Sequence, residues 1–185
     1  MTTPIIILGI AGSLRRESYS RAILTTLQES VIDATILIHG LGDLPLFNAD
    51  LEGEHYPKSS QDLKDAIIRA DGLLIVTPEY NYGIPGVLKN AIDWVSRPGY
   101  DSCLKNKPVA IVSSSAGAIG GVRAQAQLKT VLLATLSRVF PWPEVAIGNV
   151  SKKIEGGKLT NLEALSLAST LLHAFSRDLA AIKNS

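Results

Sequence analysis

Cysteine is nearly missing from this chain. Cys103 is the only one in 185 residues, which excludes an internal disulfide and suits a reducing compartment, taken here as the cytoplasm. Blocks of one charge are missing too. Eighteen basic residues stand against 17 acidic ones, net +1 with the signs interspersed, so neither a nucleic-acid surface nor a polybasic membrane patch is expected. No apolar run is long enough to insert in a membrane, and MTTPIIILGI at the amino terminus lacks the basic stretch of a signal peptide. His39, His55 and His173 are scattered without metal-ligand spacing, so no metal is expected. Neither GxGxxG nor GxxxxGK[ST] occurs, and so neither a dinucleotide pyrophosphate nor a nucleoside triphosphate is specified.

What the chain does have is alternation. Continuous apolar runs read as strands at residues 4–10, 34–38, 73–76, 109–112 and 145–147, the second of them shorter and at an edge. Between them, apolar residues at three- and four-residue spacing predict helices. The first contains Ala22, Ile23, Leu24, Leu27 and Val31, and the second, capped by Ser59 or Ser60, contains Leu63, Ala66, Ile67 and Ala70. The third opens at Pro85-Gly86 and carries Val87, Leu88, Ala91, Ile92 and Val95; the others span about 122–139 and 161–182. Residues 40–53 read as a long loop and 149–158 as a polar link. Hydrophobic residues make up 46%, enough for one substantial core, and 1–185 reads as a single domain. Five strands alternating with helices predict an α/β fold: a parallel sheet of order 2-1-3-4-5, covered on both faces. Its ligand crevice lies at the switch point between the first and third strands.

Three loops face that crevice. After the first strand come Gly12 and Ser13, then Arg15, Ser18 and Ser20 at a helix start, where unpaired N–H groups, hydroxyls and a guanidinium suit an anion. A terminal monophosphate fits this single loop better than a pyrophosphate, and Ser18 or Ser20 also serves as the helix cap. After the third strand, Thr77-Pro78 leads into Glu79-Tyr80-Asn81-Tyr82-Gly83, a short connector with two aromatic rings. After the fourth, residues 113–121 supply three serines and three glycines, allowing a ligand close to backbone N–H groups. Each loop alone can also be read as a turn. Their convergence on one crevice turns the reading into a site.

On these residues the chain resembles the flavodoxin-like NAD(P)H-dependent FMN reductases, which include quinone, azo-compound and chromate reductases. The resemblance rests on Gly12-Ser13-Leu14-Arg15 with Ser18 and Ser20, and on Thr77 to Tyr82 followed by Pro85-Gly86 and Leu88 to Trp94. It extends to Leu44 to Asn48 with Asp50-Leu51, and to Gly117, Gly120, Gly121 and Arg123. It implies a flavodoxin-like three-layer sandwich that binds FMN, takes two electrons from NADPH or NADH and passes them to quinones, azo compounds or chromate. It also implies that the flavin N5, rather than any side chain, carries the chemistry. Ser13, Arg15, Ser18 and Ser20, with Leu14 and Tyr19, would hold the phosphate. Pro78, Glu79, Tyr80, Asn81 and Tyr82 would lie against the ring system, with Ser113, Ser114, Ser115 and Gly117 on its other side. Gly120, Gly121 and Arg123 would face the nicotinamide or acceptor.

Other residues are open to two readings. Arg123 either orients an anionic substrate or pairs with Glu144; Glu79 is expected to bond loop backbone rather than substrate. Trp94 packs at a helix face, against the chain itself or a partner subunit. Cys103 is expected to be inert in a surface loop. The third helix is more apolar than one sheet face requires, and with the resemblance this predicts a homodimer or homotetramer. The competing function is a flavodoxin-type one-electron carrier, which the absence of an acidic face disfavours.

Overall fold

A computed structural model describes residues 4–184. The uninterrupted apolar runs become strands: β1 (Ile6–Ala11), β3 (Gly72–Pro78) and β4 (Pro108–Ser114) with both faces covered, and β2 (Thr35–His39) with Thr35 and Leu37 exposed. They pair in parallel in the order β2-β1-β3-β4, as the alternation predicts, with β2 at the edge. Successive side chains fall on opposite faces. Leu74, Val76, Ala110 and Val112 join the core under α1 (Tyr19–Ser30) and α5 (Leu162–Lys183). Leu73, Ile75, Val109 and Ile111 join the core under α2 (Lys58–Arg69), α3 (Gly86–Val95) and α4 (Val122–Ala134). Among the described residues no helix is long and apolar enough to cross a membrane.

Four local expectations are corrected. Pro57, not Ser59 or Ser60, precedes α2; Ser60 is fully buried and its hydroxyl has no partner. Helix α4 stops at Ala134 rather than near 139, because Leu136 turns left-handed (φ 61°) and the Thr135 hydroxyl donates to Leu132 O at 2.7 Å. The chain then joins the sheet as β5 (Arg138–Val139), beside the start of β4. Pro141 and Pro143 supply no ladder donor, so the strand breaks and resumes as β6 (Val145–Ile147), the expected fifth strand, beside the end of β4. The expected link at 149–158 contains a small hairpin, β7 (Ile154–Glu155) and β8 (Lys158–Leu159), turning at Gly156 and Gly157 with φ 55° and 77°.

The excess apolar surface of α3 is satisfied within the chain. Trp94 is fully buried, lies edge-on to Phe47 and Tyr56, and donates from Nε1 to Pro45 O at 2.8 Å. Tyr56 Oη returns a hydrogen bond to Trp94 O at 2.7 Å, and burial pushes its phenol up to about 12. The loop after β2 therefore wraps α3, and Trp94 offers no face to a partner subunit.

Candidate active site

Strands β1, β3 and β4 end side by side, and their loops touch. Gly12 N donates to Val76 O at 2.8 Å, and a Cβ on Gly12 would stand 2.9 Å from Thr77 Oγ1. Only glycine lets the first and second loops lie this close. Ser13 Oγ and Tyr80 Oη are 3.1 Å apart and join the same two loops above the crevice.

The first loop leads into α1. Ser18 is the cap, accepting from Arg21 N at 3.3 Å, so of the two candidate serines it takes that role. Ser20 is then free for something else: it is 1% exposed and its Oγ has no partner. Ser114, at the end of β4 and also 1% exposed, carries a second such hydroxyl. A buried hydroxyl without a partner is unfavourable by about 1–3 kcal/mol. Both orphans line one cleft of about 160 Å³, together with Ser13, Arg15, Ser18 and Tyr19. Its remaining wall includes Pro78, Glu79, Tyr80 and Ser115. The Arg15 guanidinium sits 5.4 Å from the Tyr19 ring centroid.

The second loop is a tight two-residue turn. Tyr80 and Gly83 exchange both backbone hydrogen bonds at 3.0 Å, and Asn81 and Tyr82 sit at φ 50° and 64°. Asparagine tolerates that region, but a tyrosine there is strained by roughly 1–3 kcal/mol. Tyr82 is also 72% exposed, with the Arg123 guanidinium 4.4 Å from its ring centroid. Core packing does not account for a strained ring that is this exposed.

Glu79 anchors this loop to the third one. Its Oε2 accepts from Arg123 N (3.0 Å) and Ala124 N (3.2 Å) at the start of α4, as the backbone-bonding expectation has it. Its Oε1 lies 3.6 Å from the Arg123 guanidinium. The helix terminus and the arginine thus take up the one carboxylate in the wall. Arg123 does not pair with Glu144, which is held by Lys129 at 2.7 Å.

Other predicted residues fall at the margins. Leu14 lines the neighbouring cleft, and Asn81 and Tyr82 form the turn tip. Ser113 is fully buried behind the wall, donating to Gly120 O at 2.7 Å and accepting from Gln125 Nε2 at 2.9 Å. Gly117 O accepts from Asn149 N at 2.9 Å. Gly120 and Gly121 hold φ 67° and 84°, and a Cβ on Gly120 would meet the Ala146 carbonyl at 2.5 Å. Sequence reasoning missed Ala116 and Val150, which complete the cleft, and the buried brace Gln125. Val150 N donates to Ser115 O at 3.0 Å, a meeting of distant segments that no local pattern signals.

The donor set fits FMN. Two unpartnered buried hydroxyls, the Ser13 and Ser18 hydroxyls and one guanidinium surround a small-walled cleft at a helix start, with the only carboxylate engaged elsewhere. Cys103 is not part of it: burial pushes its thiol up to about 11, and Sγ donates to Val95 O at 3.4 Å.

The profile of a family described as NADPH-dependent FMN reductase matches residues 5–152. The chain is 42% identical over 154 residues to a quinone reductase of Pseudomonas putida, covering 82% of this chain and 83% of that one. It is 37% identical over 179 residues to an NAD(P)H-dependent FMN reductase of Pseudomonas aeruginosa, covering 94% and 95%. Among solved structures, the flavoenzyme NAD(P)H:(acceptor) oxidoreductase FerB of Paracoccus denitrificans superposes with a TM-score of 0.86 at 33% identity, covering 95% of this chain and 97% of that one.

Proposed function

Since the chain belongs to the NADPH-dependent FMN reductase family, we propose that it is an FMN-containing NAD(P)H:acceptor oxidoreductase acting on quinones and similar small acceptors such as azo compounds or chromate. The observation that carries the site assignment is the pair of orphaned hydroxyls, Ser20 and Ser114, facing one cleft with Arg15. When bound, FMN supplies the two-electron chemistry. The protein supplies position and charge. Ser13, Ser18 and Ser20 donate hydrogen bonds to the phosphate, and Arg15 neutralises it. Pro78 to Tyr82 form one wall and Ser114 to Gly117 the other. Glu79 keeps the two walls in register through the start of α4 rather than by touching substrate. Arg123, half-exposed beside Tyr82, is the positive charge at the mouth for an anionic nucleotide or acceptor.

Self-association into a homodimer or homotetramer, in the cytoplasm, belongs to the same proposal. Leu46, Tyr82 and Tyr100, 84%, 72% and 75% exposed, support it, and light scattering of a monomer at micromolar concentration would contradict it. The function is tested by steady-state oxidation of NADPH and NADH by the FMN-loaded protein with benzoquinone. Quinone-dependent turnover is expected; its absence with both nucleotides would sink the reading.

A further inference from the structure

Of the 18 lysines and arginines, eight lie within 4.0 Å of a carboxylate and the other ten, among the described residues, do not. Lys58, Lys89, Lys105, Lys129, Lys158 and Lys183 each hold a carboxylate within 3.0 Å. Arg97 and Arg123 lie 3.7 and 3.6 Å from theirs. Among the described residues, Arg15, Arg16 and Arg21 have no carboxylate partner, and all three are exposed. They meet in one cleft of about 310 Å³, closed on its far side by His39 and the Gly40–Gly42 turn after β2. No acidic side chain lines it. Three like charges in one concavity repel one another, and a multiply charged anion between them removes that repulsion.

The cleft is continuous with the site. It shares Ser13 and Arg15 with the flavin cleft and extends from them toward β2, away from β3 and β4. A larger cavity of about 430 Å³ on the other side of Arg16 and Arg21 is lined by Glu17, whose carboxylate opposes an anion there. The β2 side is therefore the one suited to negative charge.

We propose that this cleft takes the adenosine end of the reductant, with Arg16 and Arg21 on a ribose 2′-phosphate, so that the protein selects NADPH over NADH. This rests on the reductase reading above. The 2′-phosphate is the group that separates the two nucleotides, it is a dianion, and paired guanidiniums match its oxygens in bidentate geometry. Arg15 stays with the flavin phosphate, which leaves Arg16 and Arg21 as the specificity residues.

The test uses the FMN-loaded protein with adenosine 2′,5′-bisphosphate and 5′-AMP as calorimetric probes, alongside kcat/KM for both nucleotides. The bisphosphate is expected to bind at least about tenfold more tightly than 5′-AMP. The Arg16→Ala/Arg21→Ala double variant is expected to lose that margin and a similar factor in kcat/KM for NADPH. Its FMN retention and its kcat/KM for NADH should be unchanged. Equal binding of the two probes, or an equal fall for both nucleotides, would overturn the proposal. A loss confined to anionic acceptors would do the same, because the cleft would then serve the acceptor. Arginine-dependent bisphosphate binding without oxidation of either nucleotide would support the cleft and sink the reductase reading. Turnover of both nucleotides with no preference between the probes would overturn the cleft and leave that reading standing.

Discussion

Replacing Ser20 or Ser114 by alanine should raise the stability of the flavin-free protein and weaken flavin binding at the same time. Each hydroxyl is buried without a partner, so its removal relieves a desolvation penalty of which about 1 kcal/mol is recoverable once the small lost volume is set against it. Ser20 also lies in the first turn of α1, where alanine is the better helix former. For a chain of this size about 1 kcal/mol corresponds to roughly 2–4 °C in the unfolding midpoint. With flavin bound, the same hydroxyl contributes a hydrogen bond to a charged or strongly polar group, worth about 1.5–3 kcal/mol at the phosphate, so Kd should rise about tenfold or more. Ser60 is the control. Its hydroxyl is an orphan of the same kind, but it sits in α2 and lines no part of the cleft, so Ser60→Ala should stabilise without changing FMN affinity. Differential scanning fluorimetry with and without FMN, and fluorescence titration for Kd, read both effects. A lower flavin-free midpoint for Ser20→Ala and Ser114→Ala, or a loss of FMN affinity in Ser60→Ala to match theirs, would refute the reasoning.

Three further outcomes follow from single contacts. Glu79→Ala removes the acceptor for two N–H groups at the start of α4 and should cost about 1–3 kcal/mol in urea unfolding, with Glu79→Gln intermediate; an unchanged midpoint would mean the bonds to Arg123 and Ala124 carry nothing. Arg15→Ala should release FMN on dialysis while the far-ultraviolet circular dichroism stays native, and undiminished retention would remove Arg15 from the site. Burial raises the Cys103 thiol from 9.0 to about 11, so the folded protein keeps its proton where the unfolded chain loses it. That contribution to stability is complete below pH 9.0 and lost as pH rises through about 11. Unfolding midpoints should therefore fall more steeply over that range than in Cys103→Ala, and parallel curves would contradict the buried thiol.

The sheet was legible because β1, β3 and β4 are buried on both faces, and burial of that kind writes an unbroken apolar run. Ser13, Arg15 and Tyr80 could be brought together from sequence because parallel order alone places their loops at adjacent strand ends. The end of α4 could not be found this way: Leu132, Leu136 and Val139 keep a helical spacing, and the left-handed Leu136 that ends the helix leaves no mark in composition. Contacts across long separations were equally silent. Glu79 reaches α4 some 44 residues on, and Trp94 Nε1 finds Pro45 O across 49. An apolar helix face was visible, but not that the chain's own loop covers it. Nor does a sequence show which charges lack partners, so the grouping of Arg16 and Arg21 with Arg15 around the β2-side cleft emerged only from the folded chain.

Anaerobic mixing of the FMN-loaded protein with NADPH, and separately with NADH, followed at the absorbance maximum of the oxidised flavin, tests the central claim most directly. Fast bleaching, with NADPH the better reductant and full recovery on adding benzoquinone, is the predicted result. Flavin that stays oxidised with both nucleotides would contradict it, leaving a flavin-binding fold without the reductase.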